Sequence, residues 1–73
     1  MSEKPRHWVG DVGPKDDFGD AIHEVFYDAK TDHGPWAIMT PKSWRAYGCG
    51  RVGMGFGQVY KKQADGRWLK IGG

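Results

Sequence analysis

The sequence predicts one small α+β domain: a β-hairpin, a short helix, a glycine-rich loop and a C-terminal β-hairpin. Three observations carry the prediction. Residues 21–28 (AIHEVFYD) and 36–39 (WAIM) are strand formers on either side of a polar bend. Thr40-Pro41 and Gly48 punctuate a run long enough only for a short helix. Asp65-Gly66, a strong hairpin-turn dipeptide, separates two further strand-forming runs.

The elements follow in order. Residues 1–14 hold prolines and glycines without a hydrophobic period and read as an extended or flexible arm, leaving 15–73 as the compact module. Trp8 and Val9 are the apolar exception and are suited to pin the arm to the body. Asp16, Asp17 and Asp20 lack the ligand spacing and closing glutamate of a calcium loop and read as a solvated acidic turn. In the first strand, alternation puts Ile22, Glu24 and Phe26 on one face. Ala21, His23, Val25 and Tyr27 make the other, more apolar face. The loop spans 28–34 with its bend at Asp32-His33-Gly34, so 22–28 pairs with 35–39.

Thr40 is an N-cap whose hydroxyl can accept from an early helical N–H, and Pro41 suits N1, where a missing donor costs nothing. Residues 42–47 supply barely two turns. Gly48 fits C′, where a positive φ is often required. Trp44 and Tyr47 lie three apart, so they share a face that packs on the hairpin. In the second hairpin, 58–64 and 67–71 flank a two-residue loop, pairing Tyr60 with Ile71, Lys61 with Lys70, Lys62 with Leu69 and Gln63 with Trp68. One face then holds Tyr60, Leu69 and Ile71; the other holds Val59, Lys61, Trp68 and Lys70. Two lysines directly opposed are mildly unfavourable, which points them at solvent or at an anion.

Composition limits the chemistry. A chain of 73 residues is one domain with a small core. Cys49 is the only cysteine, so no internal disulfide and no cysteine-rich zinc site can form. His7, His23 and His33 have no metal-knuckle spacing, and neither a metal nor a cofactor is expected. Four Trp, three Tyr and three Phe supply apolar area that can replace the staple small domains usually need. Gly48-x-Gly50-x-x-Gly53 formally matches a dinucleotide fingerprint, but here a helix precedes it and a strand follows, the reverse of what pyrophosphate binding requires. Its glycines read as positions of positive φ or of close approach to aromatic rings, or as a loop whose amides hold a phosphate or a peptide strand. Ser43 lacks a nucleophile context, and so small a chain has little room for a deep pocket. The sequence argues against an enzyme. Met1 to Gly10 has no apolar leader core, and no run approaches the roughly 18 apolar residues of a span, so no membrane partner is expected. With a lone cysteine this fits a cytoplasmic protein. The small core leaves a homodimer open.

Charge is divided. Residues 1–38 carry a net −4 and residues 39–73 a net +6. Either the halves neutralise each other across the fold, or the basic half faces an acidic partner. The best binding constellation is Arg45, Arg51, Lys61, Lys62, Arg67, Trp68 and Lys70, together with Tyr60: cations neutralise phosphates, and aromatic rings stack on bases.

Gly34-Pro35-Trp36-Ala37, Met39, Tyr47-Gly48, Gly53-x-Gly55-x-Gly57-Gln58-x-Tyr60 and Gly66-x-Trp68-x-Lys70 resemble a group of short phage and prophage proteins of unknown function with zinc-ribbon or treble-clef-like domains. The resemblance covers roughly residues 15–73. In that group one C-x-x-C precedes the first hairpin and another opens the helix. The resemblance places the first pair near Lys15 and Phe18 and the second on Thr40 and Ser43, none of them a metal ligand of that kind. It implies a zinc-free version of the fold, with Phe18 filling the vacated volume against Trp44 or Tyr47. The function expected is a small binding module of phage or prophage type that acts on a macromolecule, a host protein first. A nucleic-acid-binding protein using the basic aromatic C-terminal hairpin is the alternative, and an enzyme comes third.

Overall fold

The computed structural model describes residues 7–8 and 10–73, so residues 1–6 of the arm and the pinning role of Val9 lie outside the described residues. The elements are β1 (Val25–Lys30), β2 (Trp36–Met39), α1 (Pro41–Tyr47), β3 (Gly57–Lys62) and β4 (Trp68–Gly72). The two hairpins join through β1 and β3 into one antiparallel sheet of order β2-β1-β3-β4. The helix packs on β1 and β2.

Each face of β1 is covered by something different. Tyr27, on one face, stacks on Trp44 of α1 with ring centroids 4.6 Å apart, beside the fully buried Met39 directly opposite it. Phe26, on the other face, is fully buried among aromatics. Its ring lies 4.9 Å from Trp68, 5.2 Å from Tyr60 and 5.3 Å from Trp8. Phe26, Ala29 and Met39 are the buried hydrophobic core among the described residues. A fully buried Phe or Met is worth about 1.5–3 kcal/mol and each aromatic pair about 0.5–1.5 kcal/mol more, so ring-on-ring contact carries much of this fold.

The N-terminal segment spans the sheet on the Phe26 side. At one flank His7 bridges Leu69 and the Trp8 amide donates to the Trp68 carbonyl at 2.9 Å, along the outer edge of β4. At the other flank the Asp17 amide donates to the Ile38 carbonyl at 3.0 Å, while the Asp17 carboxylate accepts from the Ile38 amide at 2.7 Å, on the outer edge of β2. Val12 and Ile22 line a recess over Phe26 between these points. Trp8 thus holds the arm to the body.

Several expectations need correction. The first strand starts at Val25, because Ala21 bridges Lys15 and the Ile22 amide donates to the Pro14 carbonyl instead of joining the sheet. It runs on to Lys30, since the turn closes tightly where the Thr31 amide and hydroxyl both donate to Pro35. The Phe26 face, expected to be the less apolar, holds the aromatic cluster because its partners come from distant parts of the chain. The helix spans Pro41–Tyr47 as the capping signals require, and the Thr40 hydroxyl accepts from the Ser43 amide at 3.2 Å. Trp44 packs on the hairpin, but Tyr47 turns outward to stack on Phe18. Gly48 is extended, with φ −71°. Its need for glycine is steric, because a Cβ there would come within 2.6 Å of Trp44 Cδ2 and Cζ3.

The second hairpin also differs. Its loop holds three residues, not two: the Gln63 amide donates to the Arg67 carbonyl at 2.7 Å, and Gly66 takes φ +87°. Asp65 holds that shape by accepting from the Arg67 amide and Nε, each at 2.9 Å. One extra loop residue slips the register, so Lys62 faces Trp68, Lys61 faces Leu69 and Tyr60 faces Lys70. The expected Lys61–Lys70 opposition does not exist, and Trp68 moves to the side of Tyr60. Gly66→Ala should lower stability by about 1–2 kcal/mol in a urea titration, since alanine resists this φ; an unchanged midpoint would show that the loop can take another shape.

Phe18 does meet Tyr47, with centroids 4.4 Å apart, but it is 44% exposed and fills no buried volume. Polar groups occupy the space between the N-terminal turn and the helix.

Candidate binding surface

Those polar groups set the position of the helix. Asp16 is 6% exposed. Its Oδ1 accepts from the amides of Phe18 (2.9 Å) and Asp20 (2.8 Å), and its Oδ2 accepts from the Thr40 amide at 2.9 Å. The Thr40 hydroxyl donates to Asp20 Oδ2. The expected solvated acidic turn is therefore corrected at Asp16: a short carboxylate reaches several amides of its own turn once Gly19 bends the chain at φ +84°. Burial pushes the Asp16 carboxyl up, but hydrogen bonds from the Ser43 hydroxyl and from the amides of Thr40, Asp20 and Phe18 together hold it below the usual carboxylate value.

The residues expected to bind a partner do not form one patch. Lys62, Trp68 and Lys70 share the Phe26 side of the sheet. Lys62, Arg67 and Trp68 meet Trp8 and His23 around an open groove of about 440 Å³, walled on its far side by the N-terminal segment. Trp8 Nε1 is buried there without a hydrogen-bond partner. Lys61 lies on the helix side of the sheet, and Arg45 is exposed on α1. Arg51 sits at the opposite end of the sheet, its guanidinium 4.8 Å from the Phe56 ring centroid. Sequence reading missed Lys30 and Phe56 as its neighbours; the Lys30 ammonium stands 5.9 Å from the same ring. The signal was present, because Lys30 continues the alternation of β1, but a loop assigned from residue 28 concealed it.

The two ion pairs among the described residues are local, Arg67 with Asp65 at 2.9 Å and His33 with Asp32 at 3.6 Å. No ion pair among the described residues links the acidic half to the basic half. Asp16, Asp17 and Asp20 instead accept from backbone amides and the Thr40 hydroxyl. Among the described residues, no three His, Cys, Asp or Glu side chains gather as a metal site.

The chain matches no protein-family model, no curated protein and no solved structure. No helix among the described residues is long and apolar enough to cross a membrane.

The surface can therefore offer charge, rings and a shallow groove. Cations on β3 and β4 stand beside half-buried rings and lack carboxylate partners among the described residues, an arrangement suited to phosphate or carboxylate groups on a large ligand.

Proposed function

We propose that this protein is a non-enzymatic binding module that holds an anionic macromolecule against its β3–β4 hairpin. The observation that supports this most is the uncompensated charge of the basic half. Neither Lys62 nor Lys70 has an ion pair among the described residues, and Asp16, Asp17 and Asp20 of the acidic half are committed to the β2 edge and the helix start as hydrogen-bond acceptors. The slipped register adds to this, because it gathers Lys62, Lys70, Tyr60 and Trp68 on one side. Rings interleaved with cations favour nucleic acid over an acidic host protein.

A zinc-free zinc-ribbon-like domain of phage type remains our reading of its origin. Thr40 and Ser43, where the resemblance puts the second cysteine pair, are joined by Asp16 and Asp20 in place of a metal.

Anisotropy of a labelled mixed-sequence oligonucleotide, titrated with the protein at several salt concentrations, tests the proposal. Lys62→Glu with Lys70→Glu should weaken binding at least ~10-fold and flatten the salt dependence by a slope of about 1–2. Lys61→Glu, on the other side of the sheet, should do clearly less. Equal loss from Lys61→Glu and from Lys62→Glu alone, which change the charge by the same amount, would mean that only net charge is read. Capture of an acidic protein by a chain that ignores oligonucleotides would instead restore the host-protein reading.

A further inference from the structure

The N-terminal segment covers one end of the Phe26 side of the sheet. At the other end the same side carries a row of residues that the hairpin groove does not include. Trp36 on β2 stands directly opposite Lys30 on β1. The Lys30 amide donates to the Phe56 carbonyl at 2.9 Å, which sets Phe56 beside it at the start of β3. Arg51 then lies over Phe56. Crossing the strands, the order is ring, cation, ring, cation. Trp36 is 46% exposed, a large apolar surface left open at the flank of the sheet. Neither Lys30 nor Arg51 has an ion pair among the described residues.

The chemistry of this row is selective. A purely apolar partner would have to desolvate two unpaired cations. An acidic protein surface would use the cations and leave the indole face idle. A nucleic-acid duplex offers phosphates but keeps its base faces stacked inside. A single strand offers both: unstacked bases for the rings and phosphates for the cations. Spacing agrees. The backbones of Trp36 and Phe56 flank that of Lys30, so they stand about 10 Å apart, and the Lys30 ammonium lies 5.9 Å from the Phe56 ring centroid. The guanidinium held over Phe56 is a planar cation already placed for a base above it or a phosphate beside it.

Behind the row, Asp28 faces Ile38 on one side and Gln58 on the other. Asp28 would repel a phosphate, which keeps the backbone on the outer row. With Gln58 it offers acceptors to base amino groups. Burial and the nearby Asp17 carboxylate push the Asp28 carboxyl up from its usual value.

We infer that Trp36, Lys30, Phe56 and Arg51 form a stacking site for single-stranded nucleic acid, in which Trp36 and the Arg51–Phe56 pair hold bases and Lys30 holds a phosphate. The inference rests on the anionic-partner reading and narrows it.

The test uses the full chain and a labelled single-stranded oligonucleotide of about 12 nucleotides, as DNA and as RNA, with the matching duplexes. Trp36→Ala should weaken single-strand binding about 10-fold while Trp36→Phe keeps most of it, since a ring and not the indole N–H is required. Arg51→Ala should weaken it several-fold, and the duplexes should bind at least ~10-fold more weakly than the single strands. Circular dichroism melts confirm that each variant is folded. Binding within two-fold of wild type for a folded Trp36→Ala, or equal affinity for duplex and single strand, overturns the stacking site. If single strands bind and respond only to Lys62→Glu with Lys70→Glu, this row is wrong and the hairpin reading stands. If no oligonucleotide binds but polyglutamate does, and that binding falls in the same double variant, the stacking site again fails while the anionic-partner reading survives.

Discussion

Asp16→Ala is expected to unfold this domain at room temperature or to lower its melting temperature by more than ~15 °C, as followed by circular dichroism. The carboxylate accepts from three amides, at Phe18, Asp20 and Thr40, and it is almost wholly buried. Each buried donor left unpaired costs about 1–3 kcal/mol, and a domain of this size has only a few kcal/mol of stability to lose. Asp16→Asn should be milder: one oxygen can still serve Phe18 and Asp20, but an amide NH₂ then meets the Thr40 N–H. Acid should act through the same group. Its folded form titrates below the ordinary value of 3.8, so the folded state favours the ionised carboxylate. That stability is complete above the ordinary value and drains away as pH falls through the lower, folded one. Asp16→Asn should therefore flatten the dependence of urea midpoint on pH below about pH 4. A melting temperature within ~3 °C of wild type for Asp16→Ala would show that the helix start finds other acceptors.

Gly57→Ala should be comparably damaging, at about 2–4 kcal/mol. Gly57 faces Ala29 across the β1–β3 pair that joins the two hairpins. It takes φ +149°, and a Cβ there would fall 2.6 Å from Ala29 Cα and 2.8 Å from the Asp28 carbonyl oxygen. Neither neighbour is the free end of a flexible side chain, so the sheet itself must open. Ala29→Gly in the same chain should recover part of the loss, because it removes one of the colliding methyl groups. Additive losses in urea titrations of the two single variants and the pair would refute the contact.

How much of this was legible in the sequence depended on range. The α1 boundaries were readable because Thr40 and Pro41 act on their own backbone. The hairpin partners were readable from neighbouring strand formers. The joining of β1 to β3 was not, since Ala29 and Gly57 are distant in sequence and glycine is silent about what approaches it. The second hairpin shows the limit at short range. Asp65-Gly66 signals a turn, but the signal does not say whether two or three residues leave the strands, and that one residue decides which side Trp68 takes. Asp16 looked like its neighbours Asp17 and Asp20, and burial alone separates it from the exposed Asp17. Among the expected binding residues, Lys62, Trp68 and Lys70 come together, whereas Lys61 fell to the other side with the register slip. Lys30, Trp36 and Phe56 could not be grouped before the strand order was known, because they come from three different strands or strand ends.

The N-terminal segment has a consequence beyond holding Trp8 in place. A small open sheet invites another copy to extend it, strand beside strand. Here the backbone of His7 and Trp8 occupies part of one flank, and Asp17 meets both backbone groups of Ile38 on the other. Among the described residues these contacts leave at most three consecutive residues of either flank, 70–72 on β4 and 36–37 on β2, a short stretch on which to seed a shared ladder. Copies of this chain that associate would find little open strand edge to share, because the protein has already spent part of each flank on its own N-terminal segment.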